Sequence, residues 1–173
     1  QSLEKAGQLD NTIVVVTSDH GMPFPRAKAS LHDDGSRVPL AIRWPQGIQS
    51  SGRVFRKPVN LSALAPTFLN AAGLAIPEMM IATGLQDVIE NKPQANRSAA
   101  FIAMERHDGC RKGGKGYPCR AIRTKDYLFI LNHKPDRWPA GNPDREFCAR
   151  YIPFGEVDSS PTKSLLMDNK DKP

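Results

Sequence analysis

The chain has 173 residues, 39% hydrophobic and 24% charged, with 24 basic against 18 acidic side chains and a net charge of +6. No apolar run approaches the ~18 residues that a membrane helix needs, and 13 glycines with 15 prolines exclude a coiled coil or a helical bundle. Mixed charge argues against global disorder, and one domain or two small lobes is the expected organisation. In chain order, residues 3–9 read as the tail of a helix, stopped by Gly7 and the Asp10-Asn11 turn signal. Residues 12–17 (TIVVVT) are apolar and β-branched, the pattern of a central strand covered on both faces. Residues 18–37 form a long polar loop directly after that strand. Ligands in open α/β sheets bind at the carboxyl ends of strands, so this loop is the expected seat of function.

Residues 38–44 (VPLAIRW) read as a second buried strand. Residues 60–72 carry helical spacing at Leu61, Leu64, Ala65, Phe68 and Leu69, with Pro66 in a first turn or at a kink and Gly73 as the stop. Residues 85–90 are a short helix candidate. The polar stretch 91–98 is the expected boundary between a core part, 1–97, and a small C-terminal α+β part, 98–173. In the latter, 99–104, 119–124 and 127–132 read as strands, the last two joined as a hairpin through Lys125-Asp126. Residues 132–155 read as ordered loop. The fold class is therefore α/β with a small antiparallel appendage.

Three cysteines, Cys110, Cys119 and Cys148, are too few for a disulfide-built fold and lack zinc spacing. One bridge between Cys110 and Cys119 is open to the sequence, leaving Cys148 free. Residues 105–126 hold seven Lys/Arg against three acids around a glycine-rich stretch, a possible collar for a polyanion. No nucleic-acid reading motif occurs, and aromatic residues are only 7%. Asn60-Leu-Ser62 and Asn96-Arg-Ser98 match the N-glycosylation triplet.

The sharpest local signal is Ser18-Asp19-His20-Gly21 at the end of the first strand. A carboxylate and an imidazole adjacent at a turn are a natural pair for a divalent cation; the bland alternative is a capping Asp beside a surface His. Residues 10–45, DNTIVVVTSDHGMPFPRAKASLHDDGSRVPLAIRWP, resemble the second conserved block of type I sulfatases, in the alkaline-phosphatase-like superfamily. The later NLSALAPTFLNAAGL resembles the segment that follows it in that family. GMPFP after SDH, and Tyr117-Pro118-Cys119-Arg120, are closest in flavour to heparan N-sulfatase (N-sulfoglucosamine sulfohydrolase).

The resemblance implies the C-terminal portion of an α/β/α sandwich. It implies Asp19 and His20 as metal ligands, for calcium above all, with manganese or zinc conceivable because of His20. It places Lys28 at the sulfate, where a cation offsets charge on the sulfuryl oxygens, with Arg26 as the competing candidate. His107 could contact sugar or sit in a loop ion pair. Arg37 is expected to be structural, paired with an acid or carbonyl beneath the site; His32, Asp33 and Asp34 read as a solvated turn and His133 as surface. The formylglycine nucleophile of this family arises in a C/S-x-P-x-R motif, which no Cys or Ser of this chain fits. It is expected upstream, in an N-terminal part of the same protein, so the isolated chain is expected to be inactive, with apolar sheet edges uncovered. The implied substrate is a sulfated sugar or glycan, attacked at a sulfate ester or sulfamate. The resemblance suggests a periplasmic, secreted or lysosomal setting. The alternatives are a phosphoryl or phosphonate ester hydrolase of the same superfamily and a non-catalytic polyanion-binding module.

Overall fold

The computed structural model describes residues 1–92, 97–144 and 152–169. The readings made for Cys148 and Asn96 lie outside these residues. The chain divides into two compact units, Gln1–Thr17 with Leu40–Ala100, and Ser18–Pro39 with Phe101–Pro173. The polar loop that follows the first strand thus groups with the C-terminal segment, not with its flanking strands.

The first unit opens on a short helix, α1 (Ser2–Lys5). Strand β1 (Val14–Thr17) pairs with β2 (Leu40–Arg43) in an antiparallel ladder, Val14 opposite Arg43 and Thr17 opposite Leu40. The reading of residues 12–17 and 38–44 as strands covered on both faces needs correction. The two strands form a two-stranded antiparallel sheet, β2 alternates in burial, and Val16 is 63% exposed. An apolar run records the chemistry of both faces, but not what lies against them.

A 3₁₀ turn over Leu61–Ala63 leads into α3 (Leu64–Ala71). (α2, Asp33–Ser36, belongs to the second unit.) Pro66 is buried in the first turn of α3, where a missing N–H costs nothing, and Gly73 at φ +68 ends the helix in the left-handed conformation that favours glycine. Helix α4 (Gln86–Ile89) packs its Ile89 with Ala63 and Leu85, against Ile42 and Trp44. Buried Thr67 joins the two helices: its Oγ1 donates to the Ala63 carbonyl at 2.6 Å and accepts from the Leu85 N–H at 2.8 Å.

β3 (Ala99–Met104), which belongs to the second unit from Phe101 on, forms a sheet with β4 (Cys119–Thr124) and β5 (Leu128–Asn132) in that order. β4 and β5 are the expected hairpin, Cys119 opposite Asn132 and Arg123 opposite Leu128. One sheet face packs Cys119 and Ala121 against Leu31, contributed by the loop of residues 18–39. Phe101 and Phe129 are exposed. Cys110 and Cys119 are both buried and Cys119 is a free thiol, so no bridge joins the two, which corrects the bridge the sequence left open. Burial pushes the Cys119 thiol pKa up, so it stays protonated. The chain ends in α5 (Pro161–Asp168), with Ser160 accepting from the Lys163 N–H as N-cap and Pro161 in the first turn.

Candidate functional site

The loop of residues 18–39 is held by its own backbone. The Gly21 N–H donates to the Gly35 carbonyl at 3.0 Å, and a β-carbon at Gly21 would lie 1.6 Å from the Asp34 carbonyl oxygen. Only glycine permits this approach of the turn to α2 (Asp33–Ser36), and a β-carbon at Gly35 would lie 2.0 and 2.4 Å from the Ala27 and Ser30 carbonyl oxygens. Leu31 anchors the loop in the core, and Arg123 of β4 holds Asp33 with a bidentate ion pair at 2.9 and 3.2 Å. Asp33 is therefore an anchor, which departs from the solvated turn expected for His32, Asp33 and Asp34.

At the start of this loop, Asp19 and His20 stand together. Their carboxylate Oδ1 and imidazole Nε2 are 3.7 Å apart, with the Asp19 side chain 87% exposed and that of His20 44% exposed. His20 Nδ1 lies 2.7 Å from the Gly21 carbonyl oxygen. A carbonyl can only accept, so Nδ1 carries a proton, and Nε2 is the ring nitrogen left facing the carboxylate. Ser18 Oγ donates to the His20 carbonyl at 2.6 Å and fixes the turn. An imidazole whose outer nitrogen stands beside a solvated carboxylate is suited to a divalent cation, which it binds in its neutral form. The separation is less than twice the 2.0–2.6 Å of ordinary ligand bonds, so both atoms can reach one ion. Among the described residues no group of three or more His, Cys, Asp and Glu converges, so the chain's own described contribution is this pair.

Lys28 is half-buried, and its Nζ donates to Asp158 Oδ2 at 2.9 Å. Arg26, with φ +62, and His107 are both exposed, and among the described residues neither is bonded to Asp19, His20 or Lys28. Arg37 is exposed, and the acid or carbonyl expected to pair with its side chain is not seen among the described residues. The arginines of the expected basic collar are largely committed: Arg111 to Glu156, Arg120 to Glu105, Arg123 to Asp33. Glu156 and Asp158 are the residues that sequence reasoning missed. No sequence signal marked them: the Ser160-Pro161 helix start just after them announces α5 and not an ion pair.

The sulfatase family model matches residues 1–74. Over these residues the chain belongs to the sulfatase family. An N-acetylglucosamine-6-O-sulfatase of Bacteroides thetaiotaomicron is 33% identical over 144 residues, covering 79% of this chain and 25% of that protein. The N-sulphoglucosamine sulphohydrolase of Homo sapiens is 36% identical over 141 residues, covering 76% and 27%. The chain thus spans about a quarter of the length of these curated relatives. A protein solved in complex with its substrate D-glucosamine-2-N,6-O-disulfate superimposes with a TM-score of 0.54 at 24% identity, over 98% of this chain and 36% of that one. The likeness assigns the chain to the sulfatase fold, alkaline-phosphatase-like as expected. The TSDHG turn and the loop through Arg37 lie within the matched sulfatase segment.

Proposed function

We propose that this chain supplies part of the cation and sulfate site of a hydrolase acting on sulfate esters or sulfamates of sugars. The observation that carries the reading is the Asp19–His20 pair, with Nδ1 of His20 bonded to the Gly21 carbonyl and Nε2 at 3.7 Å from the carboxylate. The sulfated glucosamines in the names of two relatives and in the substrate complex support a sulfated amino sugar as the substrate class.

In this reading Asp19 and His20 hold a divalent cation, calcium by preference for the carboxylate oxygens. The cation, when bound, supplies positive charge against the sulfuryl oxygens. Gly21 keeps the turn close to α2, so the pair is presented by a rigid backbone and not by a swinging loop. Lys28 brings an ammonium to the sulfate and offsets charge that builds on its oxygens as the bond to the sugar breaks. A formylglycine nucleophile belongs to the proposal but is not among this chain's residues, since no Cys or Ser fits C/S-x-P-x-R. Assays on the chain itself therefore read binding and not turnover.

Calorimetric titration of the chain with calcium and with manganese tests the reading. We expect saturable binding, weakened at least tenfold by Asp19→Asn and by His20→Ala, because each removes one of two ligands. Equal affinity in wild type and both variants refutes the site.

A further inference from the structure

We propose that Asp158 is a positioning residue for Lys28, holding its ammonium aimed so that an incoming sulfuryl oxyanion meets a preformed donor. The proposal rests on the reading of Lys28 as the sulfate-binding cation. Lys28 Nζ donates to Asp158 Oδ2 at 2.9 Å, across 130 residues of sequence, with both side chains partly shielded from water. An ammonium has three donors, so one bond to Asp158 leaves two for a sulfate.

The construction around Asp158 is what distinguishes this pair from an ordinary surface ion pair. Residues 154–163 concentrate costly features in ten positions. Phe154 sits at φ +48, a left-handed conformation that a bulky side chain rarely adopts. Glu156 is buried against Arg111 in a bidentate pair at 2.7 and 2.9 Å. Lys163 is buried and turns its ammonium back to the Phe154 and Val157 carbonyls, at 3.1 and 2.7 Å. The Phe154 N–H donates to the Asn142 carbonyl and the Glu156 N–H to the Ala140 carbonyl. Ser160 caps α5 immediately afterwards. Strain and buried charge of this kind persist only where the surroundings over-determine the conformation, and here they fix the turn on either side of Asp158. A lysine stem on its own loses substantial rotamer freedom when it binds an anion; a partner that has already ordered it removes part of that loss.

The test uses the 173-residue chain with ¹⁵N-labelled lysines and two probes, sodium sulfate and glucosamine N-sulfate. Lys28→Arg assigns the Lys28 ammonium resonance, and Lys28→Ala sets the background affinity. We expect both probes to move the Lys28 signal in the wild type. Asp158→Ala should bring that signal to the position of free lysine and weaken binding by roughly fivefold or more. Asp158→Asn keeps an acceptor oxygen in the same place and should retain most of the ordering and most of the affinity. A purely structural role for Asp158 would lower the melting temperature of both variants without this split between Ala and Asn. Two results overturn the proposal. If Lys28→Ala abolishes binding but Asp158→Ala binds as well as or better than wild type, Lys28 remains the sulfate ligand and Asp158 is a competitor for it. If Lys28→Ala leaves binding unchanged, the sulfate-binding reading of Lys28 falls, and the positioning role falls with it.

Discussion

Replacing Glu156 by Gln should destabilise the second unit by about 3–5 kcal/mol, the range for removing one partner of a buried ion pair. The side chains of Arg111 and Glu156 are 5% and 2% exposed, with nitrogen–oxygen separations of 2.7 and 2.9 Å. At an effective dielectric of about 20, unit charges at this distance attract by roughly 6 kcal/mol, which offsets the several kcal/mol of desolvation at each ion. The pair as a whole is therefore near balance, and the cost appears when one member is left alone. Arg111 also donates to the Trp138 carbonyl at 3.0 and 2.7 Å and to the Pro139 carbonyl at 3.2 Å, and lies 4.6 Å from the Tyr117 ring centre. Arg111→Met strands the carboxylate and these two carbonyls together, so it should cost at least as much as Glu156→Gln. The double variant Arg111→Met/Glu156→Leu should cost less than the sum of the corresponding single variants, the signature of coupling. Urea unfolding in a Trp44→Phe background reads this directly, because Trp138 then reports the second unit alone. A loss under about 1 kcal/mol for Glu156→Gln, or additivity in the double variant, refutes the buried pair.

Two further outcomes follow from the packing. Thr67→Val leaves the buried Leu85 N–H without its 2.8 Å acceptor and should cost about 1–3 kcal/mol, with faster hydrogen exchange at the Leu85 amide; unchanged exchange refutes the link between α3 and α4. Burial raises the Cys119 thiol above its ordinary value of 9.0, and burial likewise raises Tyr117 above 10.0. Groups whose pKa is raised in the fold contribute stability that is whole below the unfolded value and is lost as pH rises through the folded one. Stability should therefore decline above about pH 9, and Cys119→Ala should flatten that decline. An equal slope in the variant counts against the buried thiol.

The local elements were legible because they are decided by neighbours in sequence. Strands β3 and β4 fall at the residues expected, since their composition and the turn at Lys125-Asp126 point the same way. Helix α3 and its stop at Gly73 were equally plain, and Pro66 sits in the first turn, one of the two places the sequence allowed. The four-residue helix α2 carries no apolar period, and only its contact with the Gly21 turn and the Asp33–Arg123 pair account for it. The sequence pattern was also blind to cover: Val16 lies in a run of three valines yet faces outward.

The candidate site divides along the same line. Asp19 and His20 were visible because adjacency on a turn forces them together, whatever the rest of the chain does. Lys28 was visible only through a resemblance, and its partner was not visible at all, because Asp158 is 130 positions away. No period or motif connects such residues; the connection is made by Arg111, Glu156 and Lys163, each a charge that an isolated reading would assign to solvent. Counting charges made residues 105–126 a basic collar. Pairing them shows arginines spent on holding the structure, one of them fixing the turn that carries Asp158. Pairing leaves the net charge of +6 unchanged and fixes only where these three arginines point. The Lys28 ammonium, ordered by the Asp158 carboxylate, lies in the same unit as the Asp19–His20 pair.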